Sequence, residues 1–523
     1  MDLSANLVDL LAARAAQLPQ KTLYVCDGRA TSYAQFYANA QNLARALRDL
    51  GAHPNDRICY IGKNSDAFFT LFYAAMMIGA VSVPVNWRLA GPEITTIIED
   101  AQSQIIVVGP EFVELIKSHR AEIPRVRHIL AAEPETLDFP SLQSLWQNVV
   151  PAPLDHISTQ QDVAVQLYTS GTTGRPKGVM LSHHNLVATF GKSELHDLGW
   201  NKWHQDDVAL LAMPVSHISG TGWGVLTVFH GATCHIQRQF EIELTLDMIT
   251  EHRVSKIFLV PAALQFLVRH PRAATTDFSS ITTMGYGASP MPLALLQESM
   301  GVLRCQFAQF YGMTETTGTI VALPPSDHET GDSPRLRAAG LPLPWVELRI
   351  VDVNNNEVPC GTVGEVVTRS TGNMVGYWNR PEETAKTIDA EGWLHTGDAA
   401  YMDEDGYVFI FDRIKDMIIT GGENVYPAEV ESALSAHPAI AEVAVIGVPD
   451  SKWGESVKAV VVLRPNASLT EAELIDWAKP RIAGFKSPKS VDFATTLPRN
   501  ASGKILKRDL RAAYWQNAER QVN

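Results

Sequence analysis

The chain has 523 residues, 46% of them apolar, enough to bury a large core and long enough to predict more than one domain. A formal net charge of -14 argues against general affinity for nucleic acid or anionic lipid, since either favours a basic surface. Cys26, Cys59, Cys234, Cys305 and Cys360 lie far apart without CxxC spacing, as expected of reduced thiols in a cytoplasmic protein rather than of a disulfide frame or a zinc site.

The N-terminal "MDLSANLVDLLAARAAQ" has Asp2 and Asp9 and no basic leader region, so it reads as an amphipathic helix and not a signal peptide; the C-terminal "RQVN" carries no anchor signal. "FFTLFYAAMMIGAVSVPV", from Phe68, has the length of a membrane span, but Gly79 and Pro84 interrupt it. It is expected to be a buried helix ending at Gly79 followed by a buried strand. Strand patterns at "RICYIGKN", "IGAVSVPV" and "QIIVVGP" predict one α/β sheet. From Asp162 onward, "VAVQLYTS", "DVALLAMPV", "KIFLVP", "ITTMGYGAS" and "CQFAQFYGM" alternate with helical stretches and predict a second, largely parallel one. Between Leu341 and Phe411 short, turn-rich strand patterns replace this alternation, predicting a small antiparallel β unit. A compact α+β segment follows Asp412.

"YTSGTTGRPKG", from Tyr168, leaves a strand end, where open α/β sheets place ligands. Gly171, Gly174 and Gly178 allow close backbone approach, while Thr169, Ser170, Thr172 and Thr173 offer hydroxyl donors and Lys177 a positive charge. The combination suits a polyphosphate. It is not a Walker loop: Pro176 precedes the lysine and Gly178 follows it where Ser or Thr is required.

"YTSGTTGRPKGVMLSH" resembles the phosphate loop of the acyl-adenylate-forming enzymes, which include acyl-CoA synthetases, beetle luciferases and peptide-synthetase adenylation domains. The resemblance continues in the family's order through "GAVSVPVN", "MPVSHISG", "GYGASPMP", "YGMTET", "GEVVTRS", "GWLHTGD", "DRIKDMIITGGENVYPAEVE" and "LPRNASGK". It implies a large N-terminal domain, 1–412, of two α/β sheets plus a small β-barrel at about 335–412, and a mobile α+β C-terminal domain, 413–523. It further implies attack of a carboxylate on the α-phosphate of ATP, followed by acyl transfer from AMP to a thiol.

Carried over residue by residue, the resemblance puts Thr314 on the α-phosphate and Glu315 on magnesium. Gly287, Ala288 and Ser289 run along the adenine with Tyr311 as a stacking face beside Gly312, and Asp398 and Arg413 reach the ribose. Lys504 would bridge the attacking carboxylate and the α-phosphate, offsetting their mutual repulsion. Lys415 matches the hinge, and Gly421, Gly422 and Glu423 match the lining of the thiol tunnel. His217 matches a gate between that tunnel and the acid pocket. The pocket itself is expected from Ile218, Thr221, Gly222, Trp223, Val225, Tyr286, Phe310 and Met313, with Gly222 and Gly224 leaving depth.

That set offers no charged partner, so the acid's tail is expected to be apolar. A medium- or long-chain fatty acid comes first, with aryl and alicyclic acids open. Coenzyme A is the simplest acceptor, since the chain ends soon after Lys504 without room for a carrier domain; a carrier protein in trans is the alternative. ATP, magnesium and coenzyme A are thus the expected cofactors and co-substrates. No nucleic-acid partner or transmembrane segment is expected, and a homodimer is left open.

Overall fold

The computed structural model describes residues 5–133, 138–147, 154, 156–170, 176–195, 198–328, 333–499 and 505–515, leaving aside the side chains of 170, 193–195 and 415. The loop 171–175 and Lys504 therefore lie outside the described residues.

Two large sheets carry the N-terminal part. One has nine strands, in the order Leu341–Pro342, Gly318–Leu323, Gln306–Met313, Thr283–Gly287, Lys256–Leu259, Val208–Leu211, Thr233–Ile236, Thr22–Cys26 and Arg29–Ser32. Its central strands are parallel and its edges antiparallel. The other has seven, in the order Gly376–Tyr377, Pro176–Ser182, Val163–Ser170, Val81–Val85, Arg57–Ile61, Ile105–Val108 and His128–Ala131. Strand order departs from sequence order here. Val163–Ser170 opens the second run of βα patterns but pairs with Val81–Val85 of the N-terminal sheet, while Thr22–Cys26 crosses to the other sheet. The strand that leads into "GTTGRPKG" thus stands in one sheet and "GYGAS" and "YGMTET" in the other.

Between the sheets lies the helix Asp66–Met77, buried along its length from Ala67. Ser65 caps it through its Oγ, which accepts from the Phe68 amide at 3.2 Å, and the chain leaves it through Gly79 at φ +70°. Phe68, Phe69, Phe72 and Tyr73 interlock with Tyr24, Phe36 and Tyr60 at ring separations of 5.0 to 5.9 Å. The apolar run at Phe68 is thus the centre of a core; among the described residues no helix is long and apolar enough to cross a membrane.

The small β unit is antiparallel, its strands ordered Glu347–Val351, Gly364–Arg369, Leu394–Met402 and Val408–Arg413. Its outer strand Val408–Arg413 is bridged in turn through Val408 to Gly340, beside the strand Leu341–Pro342. The C-terminal segment has its own core around Ile418, Val430, Val445, Val457 and Leu474, on a sheet ordered Glu423–Val425, Ile418–Thr420, Gly454–Leu463 and Ile440–Asp450, with Ser490–Phe493 beside Gly454–Leu463. All five cysteines are free. Cys26, Cys59 and Cys234 are buried, Cys305 is half-buried and Cys360 is exposed. Burial pushes the first four thiols up to about 12.

The helix Ile218–His230 packs tightly against its neighbours through glycines. A Cβ on Gly224 would stand 2.2 Å from the Phe69 ring, whereas one on Gly301, in the helix Leu293–Leu303, would meet nothing within 4 Å. Helix propensity favours alanine over glycine by about 1 kcal/mol at both sites, but overpacking costs about 1–3 kcal/mol. Gly224→Ala should therefore lower, and Gly301→Ala raise, the denaturant midpoint of the N-terminal domain.

Candidate active site

Val163–Ser170 and Pro176–Ser182 form an antiparallel hairpin with Thr169 opposite Lys177 and Ser170 opposite Pro176. The hairpin presents Lys177 beside the loop. The Lys177 ammonium forms an ion pair with Glu383 and stands 4.9 Å from the centre of the Tyr377 ring. Tyr377 in turn donates its hydroxyl to Glu315 Oε1 at 2.9 Å.

Glu315 lies in the tight turn Thr314–Thr316, which ends the strand Gln306–Met313, and its carboxylate is buried. The turn is pinned: Thr316 donates to the Gly318 carbonyl at 2.7 Å and Thr317 to the Gly372 carbonyl at 2.6 Å, while the Glu315 carbonyl accepts from the Met374 amide at 2.8 Å. Gly312 admits no side chain, since a Cβ there would lie 1.8 Å from the Gly318 oxygen.

A second cluster forms where the strands Leu394–Met402 and Val408–Arg413 place Asp398 opposite Arg413. Arg413 Nε is 2.7 Å from Asp398 Oδ1, and the Tyr311 hydroxyl donates to Asp398 Oδ2 at 2.7 Å. The Asp398 charge holds Arg413 above the usual guanidinium range despite burial, and burial together with that same charge raises the Tyr311 phenol well above its usual range. Each carboxylate oxygen keeps acceptor capacity for a further donor. Gly287 neighbours Phe310 across the parallel pair, where a Cβ would stand 2.1 Å from the Phe310 oxygen, and Ala288 follows at φ +65°. The backbone at Gly287–Ser289 thus reaches the same end of the sheet as Tyr311.

The residues expected around the acid divide into two groups. Trp223 faces Phe258 at 6.2 Å and Trp203 at 5.1 Å, and Phe310 faces Trp200 at 6.0 Å and Phe258 at 6.2 Å, giving one apolar aromatic wall. Met313 and Ile218 pack against the large core beside it. Tyr286 is not part of the wall. It alternates with Gly285, lies in the core with Phe307 on the other face, and its hydroxyl meets His328 Nε2 at 2.9 Å. Thr221 spends its hydroxyl on the Val215 carbonyl at 2.6 Å, and Val225 is fully buried in the large core. Nor do Gly222 and Gly224 leave depth: the rings of Phe190 and Phe69 take that space. Periodicity had no means of finding Trp200, Trp203, Phe258, Tyr377 or Glu383, although the paired tryptophans of "WNKW" were a visible cue.

The expected tunnel residues stand apart from both clusters. Gly421 and Gly422, at φ +61° and +85°, form the exposed tip of a hairpin with Glu423, and Gly421 packs on Trp453. Contacts flank Lys415 on either side. Lys507 reaches Asp412 at 2.9 Å and Glu431 at 3.0 Å, Arg511 reaches Asp416 at 2.6 Å, and Phe411 stacks on Tyr426 at 4.7 Å. Burial disfavours the Lys507 ammonium, yet its two carboxylate partners hold it well above the usual lysine range.

With this geometry in view, the similarities to known proteins are specific. The AMP-binding enzyme family model matches residues 11–378, and that of the AMP-binding enzyme C-terminal domain matches 429–504. The chain is 40% identical to the fatty acid–[acyl-carrier-protein] ligase ScoC of Streptomyces coeruleorubidus, over 99% of this chain and 98% of that protein. It is 36% identical to the long-chain-fatty-acid–CoA ligase FadD13 of Mycobacterium tuberculosis, over 97% and 98%. The fold superposes on the anthranilate CoA ligase AuaEII in complex with anthranoyl-AMP with a TM-score of 0.88 at 27% identity, over 98% of each chain. The chain belongs to the AMP-binding, adenylate-forming enzymes and is an ATP-using acid–thiol ligase.

His217 precedes the helix Ile218–His230, and burial pushes its imidazole down to about 4; burial does the same for His183 and His235. These groups stay neutral when folded but protonate near 6.5 when unfolded, so the unfolded chain binds more protons as pH falls. Their contribution to stability is complete above about 6.5 and lost progressively towards about 4. The denaturant midpoint should fall between pH 6.5 and 5, where ordinary carboxylates are still ionised, and His183→Gln should flatten that slope.

Proposed function

We propose that the protein is a magnesium-dependent acid:CoA ligase that converts an apolar carboxylic acid, a medium- or long-chain fatty acid first, to acyl-AMP and then acyl-CoA. The observation that carries this reading is the uncharged wall of Trp200, Trp223, Phe258 and Phe310 beside the two polar clusters. A charged tail would have to be desolvated there without a partner.

In the first step a carboxylate oxygen attacks the α-phosphorus, the bond to the bridging oxygen breaks, and pyrophosphate leaves. Thr314 bonds the α-phosphate, Lys177 and the loop amides hold the outer phosphates, and Lys504 bridges the two reacting anions. Asp398 accepts from the ribose hydroxyls with its carboxylate fixed between Tyr311 and Arg413. The ring of Tyr311 lies along the adenine beside Gly287–Ser289. The buried Glu315 carboxylate, steadied by Tyr377, suits magnesium, which when bound offsets charge on the phosphate oxygens.

In the second step the thiol loses its proton, its sulfur attacks the acyl carbonyl, and AMP leaves. We place the division of the chain at 412/413, with rotation about Lys415 bringing Gly421–Glu423 to the thiol and His217 opening the way.

Two observations favour neighbouring readings. Phe69 and Phe190 fill the space beside Gly222 and Gly224, which favours a short or aryl acid, and the 40% identity to ScoC favours a carrier-protein thiol. Incubating the protein with ATP, magnesium, coenzyme A and acids from acetate through octanoate and palmitate to benzoate and cinnamate should yield AMP and acyl-CoA from one chemical class. Pyrophosphate exchange without acyl-CoA would move the acceptor to a carrier protein. Lys504→Ala should abolish adenylation and leave thioester formation from supplied acyl-AMP largely intact; equal loss of both half-reactions would remove its assigned role.

A further inference from the structure

The phosphate-loop lysine already has an anion. Glu383, in the first turn of the helix Pro381–Thr387, pairs with Lys177, whose side chain is only 13% exposed and whose ammonium is backed by the Tyr377 ring. The fold builds this arrangement. Gly376 and Tyr377 pair antiparallel with Met180 and Val179, and the Trp378 amide donates to the Gly178 carbonyl at 2.8 Å. The Trp378 indole donates to the Asp100 carbonyl at 3.0 Å, Arg380 reaches the Asp100 carboxylate at 2.8 Å, and Thr384 Oγ1 accepts from the Tyr377 amide at 2.9 Å. Arg57 stacks on Trp378 at 3.4 Å. Glu383 is thus delivered to Lys177 by a strand pair, an indole and a half-buried ion pair.

The geometry points to Glu383 as an internal stand-in for polyphosphate, a positioning residue that holds Lys177 ready and competes with ATP and pyrophosphate for it. This rests on Lys177 contacting phosphate, as proposed above. When phosphate takes the lysine, Glu383 is not stranded, because Arg380 Nε lies 3.7 Å from its other oxygen. The exchange is therefore one ion pair for another, and Glu383 is poised to reclaim Lys177 as pyrophosphate departs. Polyphosphate affinity is lower by the strength of the pair that must be broken, and product release is favoured by the same amount.

The test is calorimetric binding of Mg-ATP and Mg-pyrophosphate to the full-length protein, which needs no acid substrate. Glu383→Gln should bind both roughly threefold to tenfold more tightly, the scale of a partly exposed ion pair. Glu383→Asp, which keeps the charge, should stay near the parent. In a Lys177→Ala background, Glu383→Gln should change nothing. Weaker binding by Glu383→Gln, or equal tightening without Lys177, would overturn the proposal. So would absence of Mg-ATP binding by the parent chain. A protein that binds as expected yet makes no acyl thioester from any acid would overturn the ligase reading and leave this one standing.

Discussion

A helix with no polar face has to be covered on every side, and Asp66–Met77 is such a helix. One sheet cannot do this. With Thr22–Cys26 of one sheet and Val81–Val85 and Val163–Ser170 of the other packed around it, the helix commits the chain to two sheets sharing one core. That commitment positions the site. The hairpin of Val163–Ser170 and Pro176–Ser182 ends in one sheet, Gly287 and the turn at Thr314 end strands of the other, and the shared core fixes their separation.

Charge is handled in the same economical way on both sides of the seam. Asp398 serves Arg413 and Tyr311, Asp100 serves Tyr168 and Arg380, and Lys507 serves Asp412 and Glu431. Each of these three ions has two partners, which offsets part of the cost of its removal from water. Arg57 shows the cost of lacking a carboxylate: with Gln166, the Asn55 carbonyl and the Trp378 face as its partners, burial pushes its guanidinium down to about 10.

Much of this was legible in the sequence. The density of glycine, hydroxyl and cation at Tyr168–Gly178 points to a polyphosphate-binding loop, and Gly79 and Pro84 separated a buried helix and strand from a membrane span. The antiparallel unit between Leu341 and Phe411 announced itself by its turns. What stayed hidden was set by long-range pairing. Strands covered on both faces, such as Thr283–Gly287, show no alternation of apolar and charged residues, so nothing local says that Tyr286 faces the core and Gly285 the aromatic wall. A glycine leaves space only if no neighbour takes it, and Phe69 and Phe190 come from distant helices. The union of Lys177 with Glu383 joins residues far apart in the chain, whose separate motifs carry no sign of it.

The uneven burial of the thiols has a practical side. Cys360, on the link between the strands Glu347–Val351 and Gly364–Arg369, is exposed, whereas burial keeps the other four protonated at neutral pH and so poor nucleophiles. The unaltered chain therefore carries one addressable sulfur, on the small β unit. A maleimide dye placed there would sit outside the core, the aromatic wall and both polar clusters, and would follow this unit relative to Trp453 on the C-terminal segment without any cysteine having to be removed.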